Sequence, residues 1–90
     1  MTRAAPPFKA VDLTVGQTYR VVKAFKDFDG IIHPAGERWL FLESHFLPYE
    51  DGLTLVVHLN GEKIAMRLQW LSETQAEIIN HFSDFVTPVK

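Results

Sequence analysis

The sequence predicts a mainly β domain with one C-terminal helix. Three observations carry this. An Asn60-Gly61 pair sits between two runs of alternating apolar residues. A capping sequence at Ser72 precedes an apolar stripe at helical spacing. The first half holds two further apolar runs separated by turn-rich stretches. Together they suit a small SH3-like open barrel or a curved antiparallel sheet of four to five strands, capped by the helix.

Asn-Gly is the favoured pair for a two-residue type I′ turn, because both central residues need positive φ. That turn sets Leu59 opposite Glu62, Val57 opposite Ile64, Leu55 opposite Met66 and Leu53 opposite Leu68. The apolar pairs then share one face, while Thr54 with Arg67, Val56 with Ala65 and His58 with Lys63 share the other. Turn chemistry and alternation agree on this register, and a one-residue slip would turn the apolar set to water.

Upstream, the run from Thr18 to Phe25 reads as a first strand, with Tyr19, Val21 and Phe25 on one face. Lys26 to Gly36 reads as a loop, with Asp-Phe-Asp-Gly and His-Pro-Ala-Gly as turn material. Glu37 to Leu42 reads as a second strand containing Trp39 and Phe41, and Ser44 to Gly52 as a second loop. Downstream, Ser72 and Gln75 make a capping box. The helix is expected over residues 72–86, with Ile78, Ile79, Phe82, Phe85 and Val86 facing the core and Pro88 ending it. Residues 1–12 read as a tail, leaving 13–90 as a single domain.

Composition narrows the function. Ninety residues support one core, since so short a chain buries only ~60–65% of its unfolded surface. The 47% hydrophobic and 22% charged fractions are those of a globular protein. Eleven acids outnumber nine Lys and Arg, which sit scattered along the chain, so a nucleic-acid footprint is not expected. Neither is a membrane role, because no segment is apolar enough to span a bilayer. With no cysteine, thiolate chemistry is excluded and a reducing, cytoplasmic setting is favoured.

Gly16-x-x-Tyr19-x-Val21, Phe25-x-Asp27-Phe28-Asp29-Gly30 and His33-Pro34-x-Gly36-Glu37-x-Trp39-x-Phe41 resemble an uncharacterised bacterial family of short single-domain proteins. So do Phe46-Leu47-Pro48-Tyr49-x-Asp51-Gly52-Leu53-Thr54-Leu55 and Arg67-Leu68-Gln69-Trp70. The resemblance runs from residue 13 to about 86 and implies no activity, cofactor or site residue. Ala24-Phe25-Lys26-Asp27-Phe28-Asp29 is also similar to a stretch of SH3 domains, an analogy of architecture only.

Four constellations are candidates for function. Asp27, Asp29, His33 and Glu37 have the residue types of a divalent-metal site, although Asp27 and Asp29 also suit turn capping and the later calcium-loop ligands are missing. His33, His45, His58 and His81 match no short zinc motif and read as four separate histidines. Ser44 and His45 are neighbours on an extended chain, so they point to opposite faces, and no enzyme activity or cofactor is expected. The two loops carry more large apolar residues than loops need. Phe28, Pro34, Phe46 and Tyr49 would then form a contact patch for a protein or peptide, with Asp27, Asp29, Glu50 and Asp51 as an acidic rim. The unpaired edge of the hairpin offers a second contact, for a partner strand or for a second copy as a homodimer.

Overall fold

A computed structural model describes residues 7–47, 52–71 and 73–89. Among the described residues, seven strands and one α-helix follow in chain order. They are β1 (Thr18–Val21), β2 (Phe25–Lys26), β3 (Ile32–His33), β4 (Arg38–Leu47), β5 (Gly52–Leu59), β6 (Glu62–Gln69), α1 (Glu73–Asn80) and β7 (Val86–Pro88). Short 3-10 turns cover Ala10–Asp12 and Phe82–Asp84. Five strands form one antiparallel sheet in the order β6-β5-β4-β1-β7, and β2 and β3 form a separate two-stranded sheet. The fold is thus mainly β with one helix, and the larger sheet ends in β6 and β7 rather than closing.

The β5–β6 hairpin has the register expected from sequence, from Leu59 opposite Glu62 to Leu53 opposite Leu68. Asn60 and Gly61 have φ of 52° and 84°, as a type I′ turn requires. Leu53, Leu55, Val57, Met66 and Leu68 are buried on one face. They share one core cluster with Ile78 and Ile79 of α1, Phe82 of the following turn, and Phe25 of β2. Tyr19, Trp39 and Phe82 form an aromatic chain, with ring centroids 5.5 Å and 6.3 Å apart at its two contacts.

The first strand stops earlier than expected. After Val21 the chain leaves the sheet, and the amides of Val22 and Lys23 both bond to the Phe85 carbonyl. This turns Phe25 over the core, edge-on to Phe82 and Phe85 at 5.6 Å and 5.8 Å. The expected loop over residues 26–36 is a small hairpin, with Phe25 opposite His33 and Lys26 opposite Ile32.

β4 runs five residues beyond the predicted strand end, through much of the expected second loop. It can do so because β5 offers a partner as far as Gly52 opposite Leu47. A bulge makes the extension compatible with the core. Phe41 opposes Val57 and Glu43 opposes Val56, so Leu42 is the extra residue. The parity of the strand therefore changes: Trp39 and Phe41 face the core before the bulge, and Ser44 and Phe46 lie on that same face after it. Glu43 and His45 are turned outward.

The helix is shorter than the predicted span of 72–86, and its expected cap Ser72 lies outside the described residues. Ile78, Ile79 and Phe82 are buried as the stripe requires. Beyond Asn80 the chain tightens into the 3-10 turn and then extends, so Val86 is buried as part of a strand. Val86 and Thr87 are β-branched and Thr87 precedes a proline, all of which disfavour helix. β7 also pairs β1, setting Val21 opposite Val86 and Tyr19 opposite Pro88. Pro88 is tolerated because β7 is an edge strand.

The N-terminal segment is a tail only in part. Ala10 is fully buried, the ring of Phe8 lies 6.1 Å from that of Tyr19, and the Phe8 carbonyl accepts from the Ser83 amide at 3.1 Å. From Phe8 onward the chain belongs to the domain.

Candidate functional site

The β2–β3 hairpin is organised by Asp27. Its Oδ1 accepts from the amides of Asp29 and Ile31, both at 3.0 Å, while Gly30 supplies the positive φ that closes the turn. Its Oδ2 lies 2.8 Å from His33 Nε2. The other ring nitrogen, Nδ1, lies 2.7 Å from Glu37 Oε1. The imidazole stacks on Phe25, with ring centroids 5.0 Å apart. Asp27 is 3% exposed and His33 2%.

This arrangement is self-contained. The two nitrogens point away from each other, so Asp27 and Glu37 lie on opposite sides of the ring and do not converge on a common point. Among the described residues no group of three His, Asp or Glu is placed to hold a metal ion. Asp29 turns outward, its Oδ1 3.2 Å from Arg67 Nη2. The four residues of the expected metal constellation are thus neighbours, but the arrangement is a buried clamp plus a surface ion pair.

The other histidines occupy separate places. His45 stands beside Glu43 on the outer face of β4. His58 is exposed opposite Lys63, and His81 is exposed after α1. Ser44 and His45 lie on opposite faces of β4.

The apolar residues proposed as one patch do not converge. Phe28 is 46% exposed and its ring lies 5.6 Å from the Arg67 guanidinium carbon, while its amide donates to the Arg67 carbonyl at 2.7 Å. The small hairpin thereby docks its tip on β6. Pro34 is exposed at the other end of the β5–β6 hairpin, lining a shallow cleft with Glu37, Leu59 and Asn60. Phe46 is 53% exposed and stands edge-on to Trp70 at 5.4 Å. The separation follows from the corrected fold, since residues 26–36 stretch along the sheet as a hairpin. Asp27 is buried, so it is no rim residue, and Asp29 is engaged by Arg67. Tyr49, Glu50 and Asp51 lie outside the described residues.

The far half of β4 was not anticipated as a surface. β1 pairs β4 from Arg38 to Leu40, and Phe41 completes the ladder, its amide donating to Gln17 and its carbonyl accepting from Gly16. From Glu43 to Leu47, β4 pairs with β5 on one side. On the other side it has no backbone partner among the described residues. Glu43, Ser44, His45 and Phe46 are all exposed there, and Leu71, next to Trp70, is 73% exposed. Glu43-Ser44-His45-Phe46 has no apolar alternation to mark a strand, and the extra residue at Leu42 breaks the parity carried over from Trp39 and Phe41.

The protein's relatives share this fold without assigning it a role. Residues 8–89 match the model of a domain of unknown function, DUF3601, and the chain belongs to that family. Its structure is similar to that of the integron cassette protein VCH_CASS4 from the mobile metagenome of Vibrio cholerae. The two are 36% identical with a TM-score of 0.82, over 86% of this chain and 88% of that one. No curated protein matches the chain. No helix among the described residues is long and apolar enough to cross a membrane.

Proposed function

We propose that this protein is a small non-catalytic interaction module that takes up an extended protein or peptide segment along the open side of β4. One observation carries the reading. Leu42 to Leu47 has backbone groups unpaired on one side among the described residues, beside a Phe46 ring that is 53% exposed. An added strand gains main-chain hydrogen bonds, and alternate side chains supply specificity. Phe46 would meet an apolar position of the incoming strand, and Glu43 and His45 its polar ones.

A non-catalytic role is supported by the buried clamp, where both nitrogens of His33 and both oxygens of Asp27 are already engaged. The lack of cysteine suits a reducing, cytoplasmic setting.

Peptide display against the immobilised chain tests the reading. Selection on the wild type, with counter-selection on Phe46→Asp, should enrich extended sequences of alternating apolar character. Peptides that bind both forms equally would move recognition away from β4.

A further inference from the structure

The open side of β4 is the weakest-guarded edge of the sheet. β7 is three residues long and contains Pro88, which has no amide to donate. β6 is met at Arg67 by the Phe28 amide and carries Glu62, Lys63 and Arg67, charges of the kind that discourage pairing. Leu42 to Leu47 has neither a proline nor a capping contact among the described residues.

We infer that the occupant of this edge is a second copy of the same chain, paired antiparallel about a two-fold axis at Ser44. The inference rests on the recognition reading above and names its partner. Two copies related by an axis normal to the sheet keep their faces, so only registers that pair like-facing residues are allowed. Centring on Glu43 sets two glutamates against each other. Centring on His45 sets histidine against histidine and Ser44 against Phe46. Centring on Ser44 sets Glu43 of each copy opposite His45 of the other, and Leu42 opposite Phe46.

That register alone matches opposite polar groups and apolar with apolar. Glu43 and His45 already contact each other within one chain. In the dimer each glutamate would stand between its own His45 and that of the second copy. The ladder ends at Leu42, because the amide and carbonyl of Phe41 are taken by Gln17 and Gly16. The Phe46 ring of each copy would lie at the junction, against Leu42 of the other.

Sedimentation over a concentration series reads the mass against 10.3 kDa for one chain. The wild type should approach twice that value. Cross-strand pairs of this kind set the size of a charge effect, and the symmetry counts each twice. Glu43→Lys or His45→Glu alone should therefore weaken association roughly two- to thirty-fold. The double variant Glu43→Lys/His45→Glu should restore it, since lysine then faces glutamate.

The chain has no cysteine, so Ser44→Cys supplies a clean probe of the axis. It should cross-link to a covalent dimer under mild oxidation far faster than Thr74→Cys on the exposed side of α1. A chain that stays monomeric at millimolar concentration, charge variants without effect, or equal cross-linking at both positions would overturn the second copy as occupant. If such a chain still selects Phe46-dependent peptides, the recognition reading stands without the dimer. If it selects none, both fail.

Discussion

His33 and Asp27 form a buried contact, with Nε2 and Oδ2 2.8 Å apart and both side chains almost wholly out of water. Truncating Asp27 leaves Nε2 of His33 buried without a partner, while Nδ1 keeps Glu37, and an unsatisfied buried polar group costs about 1–3 kcal/mol. Asp27→Ala also removes the acceptor for two turn amides. For a domain whose total stability is about 5–15 kcal/mol, that is a large part of the whole. Urea denaturation should show Asp27→Ala near or below the threshold of folding. Asp27→Asn keeps an acceptor for the amides and should retain clearly more stability. Equal loss in both variants would show that the charge at Oδ2, rather than the turn, dominates.

The contact between Arg67 and the hairpin tip is a different case, because both partners are half exposed. A cation over an exposed aromatic ring contributes about 0.5–1 kcal/mol, and an exposed ion pair such as Arg67–Asp29 about 0–1 kcal/mol. A double-mutant cycle on Phe28→Ala and Arg67→Ala should give a coupling of about 0.5–1 kcal/mol, the cation–ring share of the contact. Additive effects would mean that the tip is held by the backbone bond from Phe28 to Arg67 alone.

How much of this was legible in the sequence depended on how local the signal was. The β5–β6 hairpin could be read residue by residue because Asn60-Gly61 and the flanking alternation lie within twenty residues and agree. β7 could not. Val86 continues a helical spacing, and the reason it is extended, the pairing of Val86 to Pro88 with Tyr19 to Val21, comes from the other end of the chain. β4 was misjudged by parity, since a single extra residue at Leu42 makes Ser44 and Phe46 look like loop. Asp27, His33 and Glu37 were singled out correctly by type. Residue types do not say whether three side chains face a shared point or one another, and here they face one another.

The turn of the long hairpin makes a backbone prediction. Gly61 has φ of 84° with nothing near the position a Cβ would occupy, so the only penalty for a side chain is conformational. An L-residue in the left-handed region costs about 1–2 kcal/mol. Gly61→Ala should lower stability by about that much without changing the register of β5 and β6. Asn60→Gly should be close to neutral, because Gly-Gly also fits a type I′ turn. Thermal unfolding of the two variants compares them directly.

The aromatic centre makes the last one. Phe82 is fully buried, edge-on to Phe25 and stacked with Trp39. It follows α1 and precedes β7, so it ties the helix, the small hairpin and the sheet to one point. Truncating a buried Phe costs about 3–5 kcal/mol, partly for lost burial and partly for the cavity. Phe82→Ala should therefore unfold at much lower urea than Phe46→Ala, although both remove the same ring. Phe46 is half in water and its lost contact is chiefly the one with Trp70, so Phe46→Ala should cost about 1 kcal/mol. If instead the two variants lost similar stability, Phe46 would be acting as a core residue, and its use as a contact surface on β4 would have to be abandoned.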